Sequence, residues 1–215
     1  QMCIRDRTRT EIMEEVKRLF IHIPKNGGSS VHKETTNTLS FGHDRWRDVP
    51  RDIRYIHQSF AVIRNPWARM VSRYVMGIPT SDTNDHGTTW NTFEEFLETR
   101  YIWTDKQWND PIRSWNTQYD YVCDESGVVR CDILRLEYID YELVSYLQLN
   151  TPYIVRENIG EYTRNYQDYY NKQTIQIVAD WYEQDIDYWG FDFDTSATKN
   201  CERNKHGIFK TTNTK

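Results

Sequence analysis

The chain has 215 residues, 27% of them charged, and a formal net charge of −5. This length suits a single domain with a substantial buried core. Residues 1–75 contain 14 Lys and Arg against 8 Asp and Glu, whereas the remainder contains 13 against 24. No run approaches the roughly 18–20 apolar residues of a membrane span, and no signal-peptide core is visible. The basic first third suits an anionic small ligand, but no segment is basic enough to indicate nucleic-acid binding.

Short apolar runs alternate with helical patterns along most of the chain. The predicted elements, in chain order, are a short helix or lead-in at 11–19, a strand at 20–24, a helix at 29–39, a strand at 59–63, a helix at 66–76, an exposed loop at 78–89, a helix from 92 to about 100, a hairpin of 119–122 and 128–134, a helix at 138–147 and a final helix at 174–189. Thr92 and Glu95 have the spacing of a capping box. Strands alternating with helices indicate a parallel sheet whose ligand lies at the carboxyl ends of the strands.

A phosphate-binding motif follows the first predicted strand. Lys25 precedes the paired glycines Gly27 and Gly28, and the hydroxyl residues Ser29 and Ser30 open a helix. Glycine lets a backbone approach a phosphate closely, and the start of a helix presents N–H groups and partial positive charge. A Walker A loop has its lysine after the glycines, so this order disfavours an ATPase, a GTPase or an ordinary kinase.

A second motif follows the strand predicted at 59–63. Arg64 ends the apolar run, and Asn65 and Pro66 are well suited to cap and begin a helix. Ser72 comes eight residues after Arg64, about two turns into that helix. Together the two motifs indicate a nucleotide that carries phosphates at two separate places.

The two motifs resemble those of sulfotransferases, in particular the branch of carbohydrate (heparan, chondroitin and related) sulfotransferases with their bacterial and viral relatives. The family pattern Pro-Lys-x-Gly-Gly-(Ser/Thr)-(Ser/Thr) is matched by residues 24–30. The pattern Arg-(Asn/Asp)-Pro-x-x-Arg-(Leu/Met)-(Val/Ile)-Ser is matched by residues 64–72. With weaker matches further on, the resemblance covers roughly residues 19–193. It implies an α/β, P-loop-NTPase-like three-layer fold with a central parallel sheet flanked by helices.

The resemblance implies a sulfotransferase that uses 3′-phosphoadenosine 5′-phosphosulfate (PAPS) as cosubstrate and requires no metal. In this scheme Lys25 stabilises the charge on the leaving oxygen, the loop after it holds the 5′-phosphosulfate, and Arg64 with Ser72 binds the 3′-phosphate. The residues expected to bind the cosubstrate are Lys25, Asn26, Gly27, Gly28, Ser29, Ser30, Arg64 and Ser72. Arg69, the second arginine of the motif, is interpreted as structural.

The acceptor hydroxyl needs a general base. In glycan-type members of the family the candidate base is a histidine in a Gly-His segment about twenty residues before the arginine of the second motif. His43 follows Gly42 at that spacing, so it is the expected catalytic base beside Lys25. A surface-loop role for His43 is an open alternative. His57 and Glu34 are the other candidates, whereas His22 is interpreted as a core histidine of the first strand.

The acceptor itself is expected to be a glycan. Five tryptophans fall in or near predicted loops and are candidates to stack on sugar rings, with core packing as the alternative: Trp46, Trp90, Trp103, Trp108 and Trp115. Another class of function is a non-catalytic nucleotide- or glycan-binding module on the same fold. A more distant alternative is an atypical small-molecule kinase, which would need Mg²⁺.

The expected organisation is a lead-in at 1–18, a sulfotransferase domain at 19–194 and a polar C-terminal tail at 195–215. Residues 1–7 match nothing in the family and are a candidate for non-native sequence. Golgi sulfotransferases carry a membrane anchor and are usually glycosylated, and this chain shows no anchor and no Asn-x-Ser/Thr site. We therefore expect a cytoplasmic enzyme of bacterial or viral type, with a lumenal fragment as the alternative.

Overall fold

The computed structural model describes residues 18–35, 38–76, 90–99, 104–105, 110–111, 115–156, 165–203 and 209–210. The strands in these ranges are β1 (Arg18–Ile21), β2 (Thr38–Leu39), β3 (Ser59–Ile63), β4 (Thr104–Asp105), β5 (Asp110–Pro111), β6 (Asp132–Arg135), β7 (Glu202–Arg203) and β8 (Phe209–Lys210). The α-helices are α1 (Gly28–Glu34), α2 (Arg51–Arg54), α3 (Pro66–Met76), α4 (Phe93–Glu98), α5 (Gln118–Val122), α6 (Ile139–Leu147), α7 (Lys172–Trp181) and α8 (Glu183–Trp189). Short 3₁₀ turns occupy Trp46–Asp48, Leu136–Tyr138 and Tyr166–Tyr169.

Four strands form a parallel sheet in the order β2-β1-β3-β6. In its centre, Phe20 of β1 lies beside Phe60 of β3, which lies beside Asp132 of β6. Every residue of β3 is buried, as expected for a central parallel strand covered on both faces. The structure thus confirms the α/β fold with a central parallel sheet flanked by helices.

The two faces of the sheet pack into two separate apolar clusters. Ile21 and Ala61 face the larger cluster, to which α3, α4, α5, α7 and α8 contribute. Phe60 faces the smaller cluster with Val31 of α1 and Leu143 of α6. Because side chains alternate between the faces of a strand, adjacent residues of β1 and β3 supply both clusters. The result is three layers, with helices on each side of the sheet.

Parallel strands bring all their carboxyl ends to one edge of the sheet. β1 is followed there by residues 22–27, β2 by 40–45, β3 by 64–65 and β6 by 136–138. Both phosphate motifs and the segment that contains His43 therefore begin at the same edge. This is the edge at which ligands bind in open α/β sheets.

The hairpin expected at 119–122 and 128–134 is wrong. Gln118–Val122 is a helix that begins at Thr117, whose hydroxyl oxygen accepts a hydrogen bond from the Asp120 N–H. Only an isolated antiparallel bridge between Cys123 and Val129 remains of the hairpin. Asp132–Arg135 instead pairs in parallel with β3 as the edge strand of the central sheet. The turn itself is present, but only the segment after it contains a strand, and that strand pairs with residues 72 positions earlier in the chain.

Two helix boundaries also differ from the sequence prediction. The helix expected at 29–39 ends at Glu34, and Thr38–Leu39 forms β2 beside β1. The single helix expected at 174–189 is two helices, because Tyr182 leaves helical geometry with φ −113° and ψ 23°. Its ring is buried, and its hydroxyl contacts Met70 Sδ. By contrast, the predictions of 59–63 and 66–76 match β3 and α3 at both ends.

The capping box expected at α4 is only half formed. The Thr92 hydroxyl oxygen accepts from the Glu95 N–H, whereas the Glu95 carboxylate accepts from the N–H of Asn91. The exposed loop expected at 78–89, most of the lead-in at 1–18 and the end of the tail lie outside the described residues. Within the residues that the structure describes, no helix is long and apolar enough to cross a membrane.

Candidate active site

The loop after β1 turns sharply into α1. Lys25 and Gly27 both have left-handed backbones, with φ of 71° and 75°, a conformation that non-glycine residues usually avoid. Gly28 lies against the His22 ring, because a Cβ added at Gly28 would stand 1.8 Å from His22 Nε2. Ser29 is exposed and Ser30 is buried in the first turn of α1. Turns built from such left-handed residues form concave arrays of N–H groups that suit an anion.

The side chain of Asn26 fixes this loop to the sheet. Asn26 is 1% exposed, and its Nδ2 donates to the Val62 carbonyl oxygen over 2.8 Å and to Gln118 Oε1 over 2.6 Å. The side chain is therefore structural, which leaves the backbone of Asn26 as the part available to a phosphate.

The Gln118 side chain hydrogen-bonds both polar backbone groups of Arg64 in the loop after β3. The Arg64 N–H donates to Gln118 Oε1 and the Arg64 carbonyl oxygen accepts from Gln118 Nε2, each over 2.8 Å. Asn65 then caps α3, since its Oδ1 accepts from the N–H groups of Trp67 and Ala68. The Arg64 guanidinium reaches across to the first loop and donates to the Lys25 carbonyl oxygen over 3.2 Å.

One face of α3 carries further cations toward the first loop. Arg69 is fully buried, and it donates from Nε to the Pro24 carbonyl oxygen and from Nη1 to that of Asn116. These contacts support the structural interpretation of Arg69. Ser72 is buried, 8% exposed, on the same face three residues further along. Arg73, the next residue on this face, stands close enough to Lys25 to affect its titration.

Positive charge accumulates where the two loops meet. Burial, together with the nearby charges of Arg73 and Arg64, lowers the pKa of Lys25 to about 8. Since the neighbours that shift this pKa are cations, the site has an excess of positive potential. A ligand with several negative charges would relieve that repulsion.

Three histidines cluster at the end of β1. The rings of His22 and His43 are 4.2 Å apart between centroids, and those of His22 and His32 are 5.1 Å apart. His43 Nδ1 lies 3.0 Å from the His22 carbonyl oxygen. A carbonyl oxygen can only accept, so His43 Nδ1 carries the proton in this contact. Burial and the charges of His43, His32 and Lys25 lower the pKa of His22 to about 3, so this ring is neutral at neutral pH.

His22 is therefore not the core histidine expected from the sequence, because it lies beyond the last residue of β1 and against His43. The other candidate bases are placed elsewhere. His57 precedes β3 and lies at the amino edge of the sheet, opposite the phosphate loops. Glu34 ends α1, and its carboxylate accepts a hydrogen bond from the Val155 N–H.

The tryptophans are mostly core residues. Trp46 is 2% exposed and donates from Nε1 to the Ser59 hydroxyl oxygen, and Trp90 is 8% exposed. For these two rings the structure supports the alternative of core packing. Trp115 is half-buried and packs against Phe96 and Trp181. Trp103 and Trp108 lie outside the described residues.

Three residues that the sequence prediction missed support the site. Gln118 holds both loops, and Arg73 adds charge. Asp185 is fully buried and accepts from the N–H groups of Gln118 and Tyr119, each over 2.8 Å. The pKa of Asp185 is raised to about 6, because the effect of burial is larger than the opposing effects of these hydrogen bonds and of the Arg69 charge. Helical spacing alone places Arg73 on the Arg69 face, but no sequence signal marks Gln118 or Asp185.

The family comparison agrees with this geometry. The family model described as "Sulfotransferase family" matches residues 22–192, which span both loops, His43 and Gln118. The chain belongs to the sulfotransferase family. Searches of curated proteins and of solved structures gave no match. Membership in this family makes the chain a PAPS-dependent sulfotransferase. The positive charge where the loops after β1 and β3 meet is compatible with a cosubstrate that carries two phosphate groups.

Proposed function

We propose that this sulfotransferase moves a sulfuryl group from PAPS to a hydroxyl of a carbohydrate, with Lys25 acting on the leaving group and His43 as general base. The observation that carries the proposal is the meeting of the two loops, where the Arg64 guanidinium contacts the Lys25 carbonyl oxygen. A nucleotide with a 3′-phosphate and a 5′-phosphosulfate can engage both loops at once. The carbohydrate acceptor is supported by the resemblance of the His43 segment to glycan-type members.

The two ends of the cosubstrate meet different chemistry. The backbone from Asn26 to Gly28 and the hydroxyls of Ser29 and Ser30 would hold the 5′-phosphosulfate. Arg64 and Ser72 would hold the 3′-phosphate, with a planar guanidinium suited to a phosphate. Both assignments use the residues that the fold brings to the carboxyl edge of the sheet.

Sulfuryl transfer makes one bond and breaks one. The acceptor oxygen bonds to sulfur while the bond from sulfur to the bridging oxygen breaks, and its electron pair stays on that oxygen to give adenosine 3′,5′-bisphosphate (PAP). The charge on the bridging oxygen grows in the transition state, so a hydrogen bond from the Lys25 ammonium stabilises that state more than the ground state. Since the pKa of Lys25 is about 8, the ammonium form prevails at neutral pH.

The acceptor proton passes to His43. Its Nδ1 donates to the His22 carbonyl oxygen, so in the neutral ring Nε2 is the nitrogen that would accept the proton. His22 also contributes an uncharged ring beside His43, since its pKa is about 3. A general base placed in this way contributes about 10²–10⁴-fold.

Calorimetric titration without Mg²⁺ tests the cosubstrate assignment. PAP, ATP and adenosine 5′-phosphate are compared on the wild-type chain, on Arg64→Ala and on Arg51→Ala, an exposed arginine of α2 that serves as the matched control. We expect PAP to bind most tightly, Arg64→Ala to lose about 10–100-fold in PAP affinity as for a charged hydrogen bond, and Arg51→Ala to match wild type. Equal binding of the three nucleotides would refute the proposal.

An acceptor screen with sulfur-labelled PAPS tests the transfer. Desulfated heparin and chondroitin are offered to the wild-type chain, to His43→Ala and to His57→Ala, whose histidine lies at the opposite edge of the sheet. We expect label in the glycan with wild type and His57→Ala, and about 10²–10⁴-fold less with His43→Ala. Full activity in His43→Ala would show that another group takes the proton.

A further inference from the structure

Gln118 is the one residue of α5 whose side chain touches both phosphate loops among the contacts of the described residues. Its Oε1 accepts from Asn26 Nδ2 over 2.6 Å and from the Arg64 N–H over 2.8 Å. Its Nε2 donates to the Arg64 carbonyl oxygen over 2.8 Å. Gln118 itself is fully buried. One amide group therefore ties the residue after Lys25 to both backbone polar groups of Arg64.

The loops that Gln118 joins follow neighbouring strands, and two other side chains also hold the first loop: Asn26 Nδ2 donates to the Val62 carbonyl oxygen of β3, and Arg69 Nε of α3 donates to the Pro24 carbonyl oxygen. Asn26 and Arg64 lie on separate loops, 38 positions apart in the chain, and Gln118 is 92 positions beyond Asn26. One direct contact between the loops is the hydrogen bond from the Arg64 guanidinium to the Lys25 carbonyl oxygen, over 3.2 Å. That guanidinium is the group proposed to bind the 3′-phosphate, so a ligand competes with this contact. The Gln118 amide, in contrast, uses only the Arg64 backbone and leaves its side chain to the ligand.

The position of Gln118 is itself determined by buried polar contacts. Asp185, fully buried in α8, accepts from the Gln118 and Tyr119 N–H groups and so fixes the first turn of α5. The Arg69 guanidinium of α3 donates to the carbonyl oxygens of Pro24 and Asn116, and so links the first loop to the residues just before α5. Helices α3 and α8 therefore hold α5 from two sides.

The same helix also reaches the segment that contains His43. Asp120 accepts from Arg45 Nη1 over 3.2 Å and from Arg47 Nη2 over 2.6 Å. Arg45 is two residues beyond His43 and begins the 3₁₀ turn at Trp46–Asp48. Helix α5 thus touches three of the four segments that follow the strands at the carboxyl edge, and Gln118 is its contact with the two phosphate loops.

We propose that Gln118 is a positioning residue that sets the spacing between the 5′- and 3′-phosphate subsites, an inference that rests on the proposed function. It contacts the loops and not the cosubstrate. With the spacing fixed in advance, both phosphates of one nucleotide bind without any cost of ordering the second loop. Without the Gln118 side chain, each loop still binds a phosphate, but the distance between the two subsites no longer equals the distance between the two phosphates of one nucleotide.

The test distinguishes a changed spacing between the two phosphate subsites from a general loss of ligand binding or stability. PAP, adenosine 5′-phosphate and adenosine 3′-phosphate are titrated into the wild-type chain and into Gln118→Met, which keeps the side-chain volume and removes its hydrogen bonds. Gln58→Met is the matched control, because Gln58 Nε2 donates to Asp132 Oδ2 at the amino edge of β3. Thermal unfolding of each variant reports its stability.

We expect Gln118→Met to lose about tenfold in affinity for PAP, the scale of one or two buried hydrogen bonds, while affinity for either monophosphate changes far less. Gln58→Met should leave all three affinities unchanged. Equal losses for all three ligands, or no loss for PAP, would overturn the positioning role. If Gln118→Met does not fold, Gln118→Ala carries the same comparison. A wild-type chain that fails to prefer PAP over both monophosphates would refute the proposed function itself.

Discussion

The two phosphate loops follow neighbouring strands of the same sheet, yet they are built in different ways. The loop after β1 has two left-handed residues, Lys25 and Gly27, and among the described residues no side chain caps α1 at Gly27. The loop after β3 has no left-handed residue, and the Asn65 side chain caps α3. In the proposed assignment the first loop therefore binds through its backbone. In the second loop the Arg64 and Asn65 N–H groups donate to Gln118 and Glu137, so the proposed binding there is through side chains.

This difference explains the residue types of the two motifs. A backbone site needs glycines and close packing, which is why the His22 ring fills the space where Gly28 has no Cβ. A side-chain site needs rigid supports, and the proposed ligands have them: Gln118 holds the backbone of Arg64, and Ser72 lies on α3. The first loop is suited to the reacting end of PAPS, and the second to the end that only anchors the molecule.

Replacing the cation of each loop should have the largest effect and should separate the two roles. Lys25→Ala is expected to lower kcat by about 10²–10³-fold, because the ammonium acts on charge that develops in the transition state. Arg64→Ala should mainly raise KM for PAPS, since it removes binding common to the ground and transition states. Steady-state kinetics with varied PAPS measures both constants. A pure KM effect in Lys25→Ala would contradict the assignment of the first loop to the reacting end.

A methyl group added to the first loop is the next largest perturbation. Gly28→Ala places a Cβ 1.8 Å from His22 Nε2, so the ring that supports His43 must move. Overpacking of this kind costs about 1–3 kcal/mol, which corresponds to about 10–100-fold in PAP affinity if the loop moves with the ring. The matched control is Gly42→Ala, at φ 61° with no atom within 4 Å of the added Cβ. It should cost about 1 kcal/mol of backbone strain in thermal unfolding and leave PAP affinity unchanged.

The sequence alone predicts the local structure around the second motif well. Each motif is a contiguous stretch, and both β3 and α3 are predicted at their observed ends because an apolar run, an Asn-Pro cap and a helical pattern follow in order. Lys25 and Arg64 are identified by their own neighbours in the chain. Their meeting follows from the pairing of parallel strands, which the alternation of strands and helices indicates.

The support of the site is not predictable in the same way. Gln118 bonds Arg64 across 54 positions and Asn26 across 92, and Asp185 caps α5 across 67. Such contacts leave no local pattern, so the segment at 118–122 is indistinguishable from a strand next to a turn. His22 was misplaced for the same reason, since its role depends on a ring from the segment after β2. The periodicity of apolar residues predicts which face of a helix or strand is buried, but it does not predict which distant polar group will hydrogen-bond to that element.

A pH titration sharpens the comparison further. Burial and the nearby charges of Arg73 and Arg64 lower the pKa of Lys25 to about 8, so the free amine prevails above that pH. PAP favours the ammonium form, and binding above pH 8 must take up a proton. We expect PAP affinity to fall about tenfold per pH unit above 8 in wild type, and not in Lys25→Arg, which stays charged. Calorimetry in two buffers of different ionisation enthalpy counts the proton. Affinity that is constant to pH 9 in wild type would show that Lys25 does not contact the phosphates.

The smallest effect on binding is expected from the cap of α3. Asn65→Ala removes the cap hydrogen bonds from the Trp67 and Ala68 N–H groups, and also the hydrogen bonds from Asn65 Nδ2 to the carbonyl oxygens of residues 192, 193 and 195. Loss of the cap alone should lower the free energy of unfolding by about 1–2 kcal/mol, and the carbonyl oxygens left without this donor add to the loss. Because α3 uses its N-terminus internally, PAP affinity should change little. Asn171→Ala is the control for loss of a cap, since Asn171 caps α7 by accepting from the Thr174 N–H. Chemical denaturation should show a larger stability loss in Asn65→Ala than in Asn171→Ala, and PAP titration should give nearly wild-type affinity for both variants. A large loss of PAP affinity in Asn65→Ala alone would mean that the second loop, like the first, binds its phosphate through the backbone.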